Sequence, residues 1–181
     1  PVTERSLVQV EAIIPSGNAI VIDETLELDF STDYTVIAVG DVAAPIAPLV
    51  IANPTGEPIA SGSFRAQVVH AAPDAPAVDV FVTAPGADLA ASTPINAAPL
   101  AYQQSTDRIQ APAGDYQVRV TLGGNPATVV FDSGVIALPA AADLLVAAVE
   151  NTGPGTTPIQ LVVLDGTAAA DLLDANTPAS V

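Results

Sequence analysis

The chain has 181 residues, with 20 Asp and Glu against four Arg and no Lys, for a net charge of −16. That balance argues against nucleic acid as a partner, because phosphate binding needs cationic side chains to displace counterions, and it disfavours anionic membrane surfaces. Cysteine is absent, which excludes a disulfide framework and thiolate metal sites.

Half of the residues are hydrophobic, mostly Val, Ile, Leu and Ala, and only 4% are aromatic. A sizeable core is therefore possible. No apolar run reaches the roughly 18 residues needed to span a membrane, so no membrane insertion is expected. No signal peptide is present, and an exported product would have lost one. Seventeen Pro and 12 Gly interrupt the chain too often for long helices. Disorder is a poor reading, because the apolar residues are abundant and regularly patterned. The acid-rich, lysine-free composition points to a salty, marine or halophilic setting.

In chain order, short β-branched runs alternate with turn residues. Val8 and Val10 come first, then Ala19 to Ile22, then Leu26 and Leu28. Tyr34 to Val39 and Leu49 to Ile51 follow. Phe64, Ala66, Val68 and His70 share one face, and Val78, Val80 and Val82 share another. Further on stand Tyr116, Val118, Val120 and Leu122, then Val129 to Phe131, Leu144 to Val149 and Ile159 to Leu164. Period-two alternation predicts half-buried strands. Pro15-Ser16-Gly17-Asn18, Pro112-Ala113-Gly114-Asp115, Gly123-Gly124-Asn125-Pro126 and Asp165-Gly166 supply turn chemistry between them. Ala87–Ala91 and Ala168–Leu173 read as single helical turns. Many short strands with regular turns predict a sandwich or barrel.

The chain also repeats itself. The run Asp33-Tyr34-Thr35-Val36-Ile37-Ala38-Val39 is matched 110 residues later by Asp143-Leu144-Leu145-Val146-Ala147-Ala148-Val149. Val8-Gln9-Val10 matches Val118-Arg119-Val120 at the same offset, and Leu49-Val50 aligns with Leu161-Val162 after a two-residue insertion. Residues 1–60 thus read as the second half of a module whose full copy covers 64–175, with 176–181 leading toward a further copy. A repeat of this length means a string of domains, not a solenoid.

The segment from Arg65 to Val82, with His70-Ala71-Ala72-Pro73-Asp74-Ala75-Pro76-Ala77-Val78-Asp79-Val80 at its centre, resembles the opening signature of the DUF4397 family. Pro112-Ala113-Gly114-Asp115-Tyr116-Gln117-Val118-Arg119-Val120 resembles a later strand of the same family. The resemblance covers 64 to about 165. It implies tandem immunoglobulin-like antiparallel β-sandwich modules, secreted or held at the bacterial cell surface or outer membrane. It carries no catalytic residues over. The signature positions are His70, Pro73, Asp74, Pro76, Asp79, Gly114 and Tyr116.

Half a sandwich leaves one sheet face and several strand edges open, which soluble monomers rarely tolerate. Residues 1–60 should therefore be covered by strands from another chain, by a tightly held fragment, or by the complete module. The expected partners are further copies of the chain or neighbouring modules of the same protein.

Candidate reactive groups are few. A Ser-His-Asp triad would have to use His70, the single histidine, yet no Gly-x-Ser-x-Gly motif is present, and one histidine cannot make a zinc site. Asp74 is expected to cap a turn through its carboxylate. Asp79 is expected to face solvent or to pair with Arg65 or Arg119. Both could act as Ca²⁺ ligands, although no EF-hand spacing supports this and no cofactor is required. Glu24, Glu27, Asp29 and Asp33 read as the wet face of a strand, not as a glycosidase pair. Gly123-Gly124-Asn125-Pro126 lies between strands with no following Lys, so it reads as a hairpin and not a phosphate loop. The expected function is a non-catalytic structural or adhesive module of a surface or extracellular assembly, possible as a fibre built by strand completion between subunits. The other reading is an extracellular ligand-binding module for a glycan or polymer, with or without Ca²⁺.

Overall fold

Alternating apolar segments leave the backbone extended, and the chain is all-β in a computed structural model that describes residues 3–14, 17–40, 46–152, 157–165 and 171–173. It divides into two compact units, Pro1–Pro58 and Ile59–Val181. Among the described residues no helix is long and apolar enough to cross a membrane.

The first unit holds two separate antiparallel ribbons. β1 (Thr3–Ile14) pairs with β2 (Gly17–Asp29), and β3 (Thr32–Val39) pairs with β4 (Ala47–Pro54). The expected runs at Ala19–Ile22 and Leu26–Leu28 are one strand, because β1 pairs along β2 from Gly17 to Asp29 with one register shift. Pro15 and Ser16, part of an expected turn, lie outside the described residues. Between β2 and β3 the Asp29 carboxylate accepts from Ser31 N–H at 2.9 Å and Ser31 Oγ at 2.7 Å. These bonds hold the Asp29 carboxyl below the usual range. Among the described residues here Ile22, Val39 and Ile51 are buried, whereas Leu7 and Phe30 are 64% and 69% exposed.

The second unit contains β5 (Ser63–His70), β6 (Val78–Thr83), β7 (Ile109–Pro112), β8 (Gly114–Leu122), β9 (Asn125–Leu138), β10 (Asp143–Glu150), β11 (Ile159–Leu164) and β12 (Asp171–Leu173). One sheet has the order β12-β11-β10-β5-β7 and the other β6-β8-β9. Val68, Ala148 and Leu161 from the first meet Val80, Val120 and Phe131 from the second in one core. An apolar void of about 70 Å³ lies between the sheets beside Phe64 and Leu138.

Three expectations change. The sheets are not wholly antiparallel, because β5 and β10 run parallel. A parallel pair needs a long crossover, and here the chain makes the entire second sheet between the two strands. β5 is buried on both faces, not one, since Arg65, Gln67 and Val69 are as enclosed as Phe64 and Val68. The expected helical turn at Ala168–Leu173 is replaced at Asp171–Leu173 by β12, where the edge of β11 offers hydrogen-bonding partners that outweigh local propensity. Residues 168–170 and 176–181, and Gly166 of the expected Asp165-Gly166 turn, lie outside the described residues. At Ala87–Ala91 a 3-10 turn does form, at Leu89–Ala91, with the Asp88 carboxylate accepting from Ala90 N–H.

The registers of two ribbons correspond over part of their length. Glu4 lies opposite Leu28, and Gly114 lies opposite Leu138. Ser6 with Leu26 and Tyr116 with Ile136 continue the match, 110 residues apart on both strands. The match ends at Gln117, because the second ribbon shifts register between Gln117 and Arg119, between Val120 and Thr121 and between Thr121 and Leu122, whereas the first shifts between Val10 and Glu11. The β3–β4 ribbon follows β10–β11 less closely. Leu49 faces Ile37, whereas Leu161 faces Ala148, one position away from the alignment read in the sequence.

Candidate functional site

The signature residues lie on β5, β6 and the turn that joins them. His70 ends β5 and is 1% exposed. Its Nε2 lies 3.1 Å from the Pro76 carbonyl, and Nδ1 lies 3.4 Å from Ala72 N–H. A carbonyl can only accept and an N–H can only donate, so the proton sits on Nε2 and Nδ1 is the acceptor. Both ring nitrogens therefore hold the Ala71–Pro76 turn in shape. The ring also stands edge-on to Tyr102, with centroids 6.3 Å apart.

Pro73 and Asp74 form the outer part of that turn. Asp74 is held through its main chain, whose N–H donates to Glu150 Oε1 at 2.9 Å. The capping carboxylate at this turn is thus Glu150, 76 residues away, and not Asp74 itself. Asp74, Pro76, Glu150 and Pro158 border a cleft of about 300 Å³.

Asp79 corrects a second expectation. It is buried, and neither Arg65 nor Arg119 is its partner. Its Oδ1 accepts from Asn96 Nδ2 at 2.9 Å and its Oδ2 from Gly124 N–H at 2.7 Å. Asn96 Oδ1 also accepts from Val80 N–H, and Val78 pairs with Leu100. Residues 95–100 thus run along the free edge of β6 and enclose Asp79. Alternation within β6 could not show this cover. The acid anchors the β8–β9 hairpin through Gly124, whose φ is +72°. A Cβ on the adjacent Gly123 would lie 2.7 Å from Pro99 Cβ, so only glycine fits there. The hairpin reading of this stretch holds.

Arg65 donates from Nε to Asp143 Oδ1 at 2.9 Å and from Nη2 to Asp143 Oδ2. This fork keeps the Asp143 carboxyl below the usual range against the opposing effect of burial. Arg119 donates to Thr83 Oγ1 and the Ala87 carbonyl, fixing the loop after β6. Tyr116 donates its hydroxyl to the Pro112 carbonyl at 2.8 Å and sets its ring edge-on to Phe64, 5.2 Å between centroids. Gly114 opens β8, where a Cβ would make only ordinary contact with the Tyr116 ring at 3.9 Å. No close approach demands glycine at that position.

The structure therefore brings His70, Pro73, Asp74 and Pro76 together in one turn, with Asp79 at the start of the following strand. Gly114 and Tyr116 stand elsewhere, at the β7–β8 corner. Asn96, Glu150 and Asp143 belong to the same framework and were not singled out as site residues. Asp143 alone had a signal, since it begins the repeated run that starts at Asp33. Glu24, Glu27 and Asp33 are exposed, as their wet-face reading required, and Glu27 pairs with Arg5 at 3.0 Å. Among the described residues no group of three or more His, Asp or Glu side chains is placed to hold a metal ion.

Residues 5–81 match the model of a family described as a domain of unknown function (DUF4397), the family that the signature resembles. The match runs from β1 into β6 and so crosses from the first unit into the second. No curated protein and no solved structure matches the chain.

Proposed function

We propose that the chain is a non-catalytic structural module of a bacterial cell-surface or extracellular assembly, built from tandem immunoglobulin-like sandwich modules and joined by strand completion between neighbours. The carrying observation is the shared register of Glu4–Leu7 on β1 and Gly114–Gln117 on β8, whose partners on β2 and β9 also lie 110 residues apart. It supports reading the first unit as a partial copy of the second. In the second unit β8 pairs also with β6, and β10 pairs also with β5. Among the described residues β1 and β3 have a single strand neighbour each. Two open edges on one unit suit a protein that joins others.

Three further features support the reading. The Tyr116 hydroxyl reaching a carbonyl four residues upstream resembles the tyrosine corner of immunoglobulin-like sandwiches. The polar groups of the signature are engaged with the backbone, which suits a scaffold better than a reaction centre. The acidic, lysine-free composition fits a soluble surface in a salty extracellular medium. Sedimentation velocity across a concentration series tests the proposal. Species heavier than the 18.1 kDa chain that grow with concentration are expected, and a strict monomer throughout would overturn it.

A second reading rests on the cleft beside Asp74 and Glu150. An extracellular glycan or polymer could seat there, with Ca²⁺ on the carboxylates. A rise in melting temperature with Ca²⁺ or an oligosaccharide, lost in Glu150→Gln, is its expected signature.

A further inference from the structure

We infer that the open edge of β3 is a docking site for one kind of strand: a segment with the chemistry of Ser63–His70, contributed by another copy of the module and added in parallel. The inference rests on the strand-completion reading above and assigns its edge, direction, register and charge.

The second unit supplies the template. There β10 has β11 on one side and β5 on the other, with Asp143 opposite Arg65, Leu145 opposite Gln67 and Ala148 opposite His70. Asp33, Thr35 and Ala38 occupy the corresponding places in the repeated run on β3. β4 already fills the side of β3 that corresponds to β11. The remaining edge therefore corresponds to the one that β5 occupies.

The charge pattern selects the occupant. Asp143 receives the buried Arg65 guanidinium through two hydrogen bonds. Asp33, its counterpart, is exposed, and among the described residues no side-chain hydrogen bond or ion pair reaches its carboxylate. With only four Arg and no Lys against 20 acids, cations that could answer Asp33 are scarce. A β5-type strand brings one to the required position. It also brings apolar residues at alternate places to a unit in which Leu7, Ile20 and Phe30 are exposed.

A synthetic peptide of residues 62–84, added to the full 181-residue chain, tests the inference. The chain has no cysteine, so single introduced thiols report position without background. Thr35→Cys in the chain should form a disulfide with a Gln67→Cys peptide, and not with a Val68→Cys peptide, because facing residues alone meet the distance limits of the bond. Fluorescence anisotropy with unmodified chain should show Asp33→Asn weakening the peptide about tenfold. An Arg65→Gln peptide should lose a similar factor, and the two changes together should lose little more, as expected for one shared contact.

Capture at Leu145→Cys in place of Thr35→Cys would mean that the peptide exchanges into the second unit, and would overturn the inference. So would binding indifferent to Asp33, or no binding at millimolar peptide. The outcome is separable from that of the assembly proposal. A chain that remains monomeric yet takes the peptide in register supports this inference while the assembly proposal falls. A chain that assembles while the peptide ignores β3 overturns this inference alone.

Discussion

Both units hold antiparallel ribbons, and they differ in what surrounds them. In the second unit the edge of β6 is followed by residues 95–100, and the edge of β5 by β7 and by Gln104 to Thr106. The two sheets share a core in which Val120 and Phe131 are 0% and 1% exposed. In the first unit the two ribbons form separate two-stranded sheets, with Leu7, Ile20 and Phe30 open to solvent. A sheet segment is thus stabilised by the layer that faces it and the strands that flank it, more than by its own alternation. Residues 1–58 have the alternation, and the described residues show few of these neighbours.

The largest test of this contrast is in the cores. Phe131→Ala should cost about 3–5 kcal/mol of the second unit's stability, read as a fall in the denaturant midpoint. Ile51→Ala in the first unit should leave that transition in place. Equal effects on one cooperative transition would mean that the two units do not differ in this way.

Next in size is the hairpin. Gly123→Ala forces a Cβ against Pro99 and should cost about 1–3 kcal/mol, with β8–β9 amides losing hydrogen-exchange protection. Gly114→Ala, where there is room, should cost far less.

The aspartate pair sharpens the comparison further. Asp143→Asn should destabilise the second unit by about 1–2 kcal/mol, a buried-pair cost reduced for the half-exposed carboxylate. Asp33→Asn should change the stability of the free chain by less than about 0.5 kcal/mol. The pH dependence follows from the direction of the shift. Folding lowers the Asp143 pKa, so its stabilisation is present above the ordinary carboxylate range and is lost as pH falls through the folded value. Urea midpoints between about pH 6 and pH 2 should therefore fall more steeply in the native chain than in Asp143→Asn. The smallest effect is at the corner, where Tyr116→Phe should cost about 1 kcal/mol for one lost hydrogen bond.

Much of the fold was legible because strand formation is local. Alternation at Val78, Val80 and Val82, or at Tyr116, Val118 and Val120, marks a strand whatever lies beside it. The turn at Gly123-Gly124 was legible for the same reason. Pairing is not local. Nothing in Phe64 to His70 announces a parallel neighbour at Leu144 to Ala148, and β7, only four residues long and ending at Pro112, has too little pattern to stand out. The site failed where its partners were distant. Asp79 looked exposed because Asn96 lies in a stretch without periodicity, and Asp74 looked like its own cap because Glu150 is far along the chain. Tyr116 was singled out as a signature residue, although its bond to Pro112 was not foreseen.

The difference between covered and open edges is read most directly by residue-resolved amide hydrogen exchange of the intact chain. A strand flanked on both sides has all its amides engaged, whereas an edge strand leaves every second one to water. Alternate amides of β3 should exchange rapidly while those of β10 are protected throughout. Uniform protection of β3, matching that of β10, would contradict the reading of β3 as a strand with an open edge.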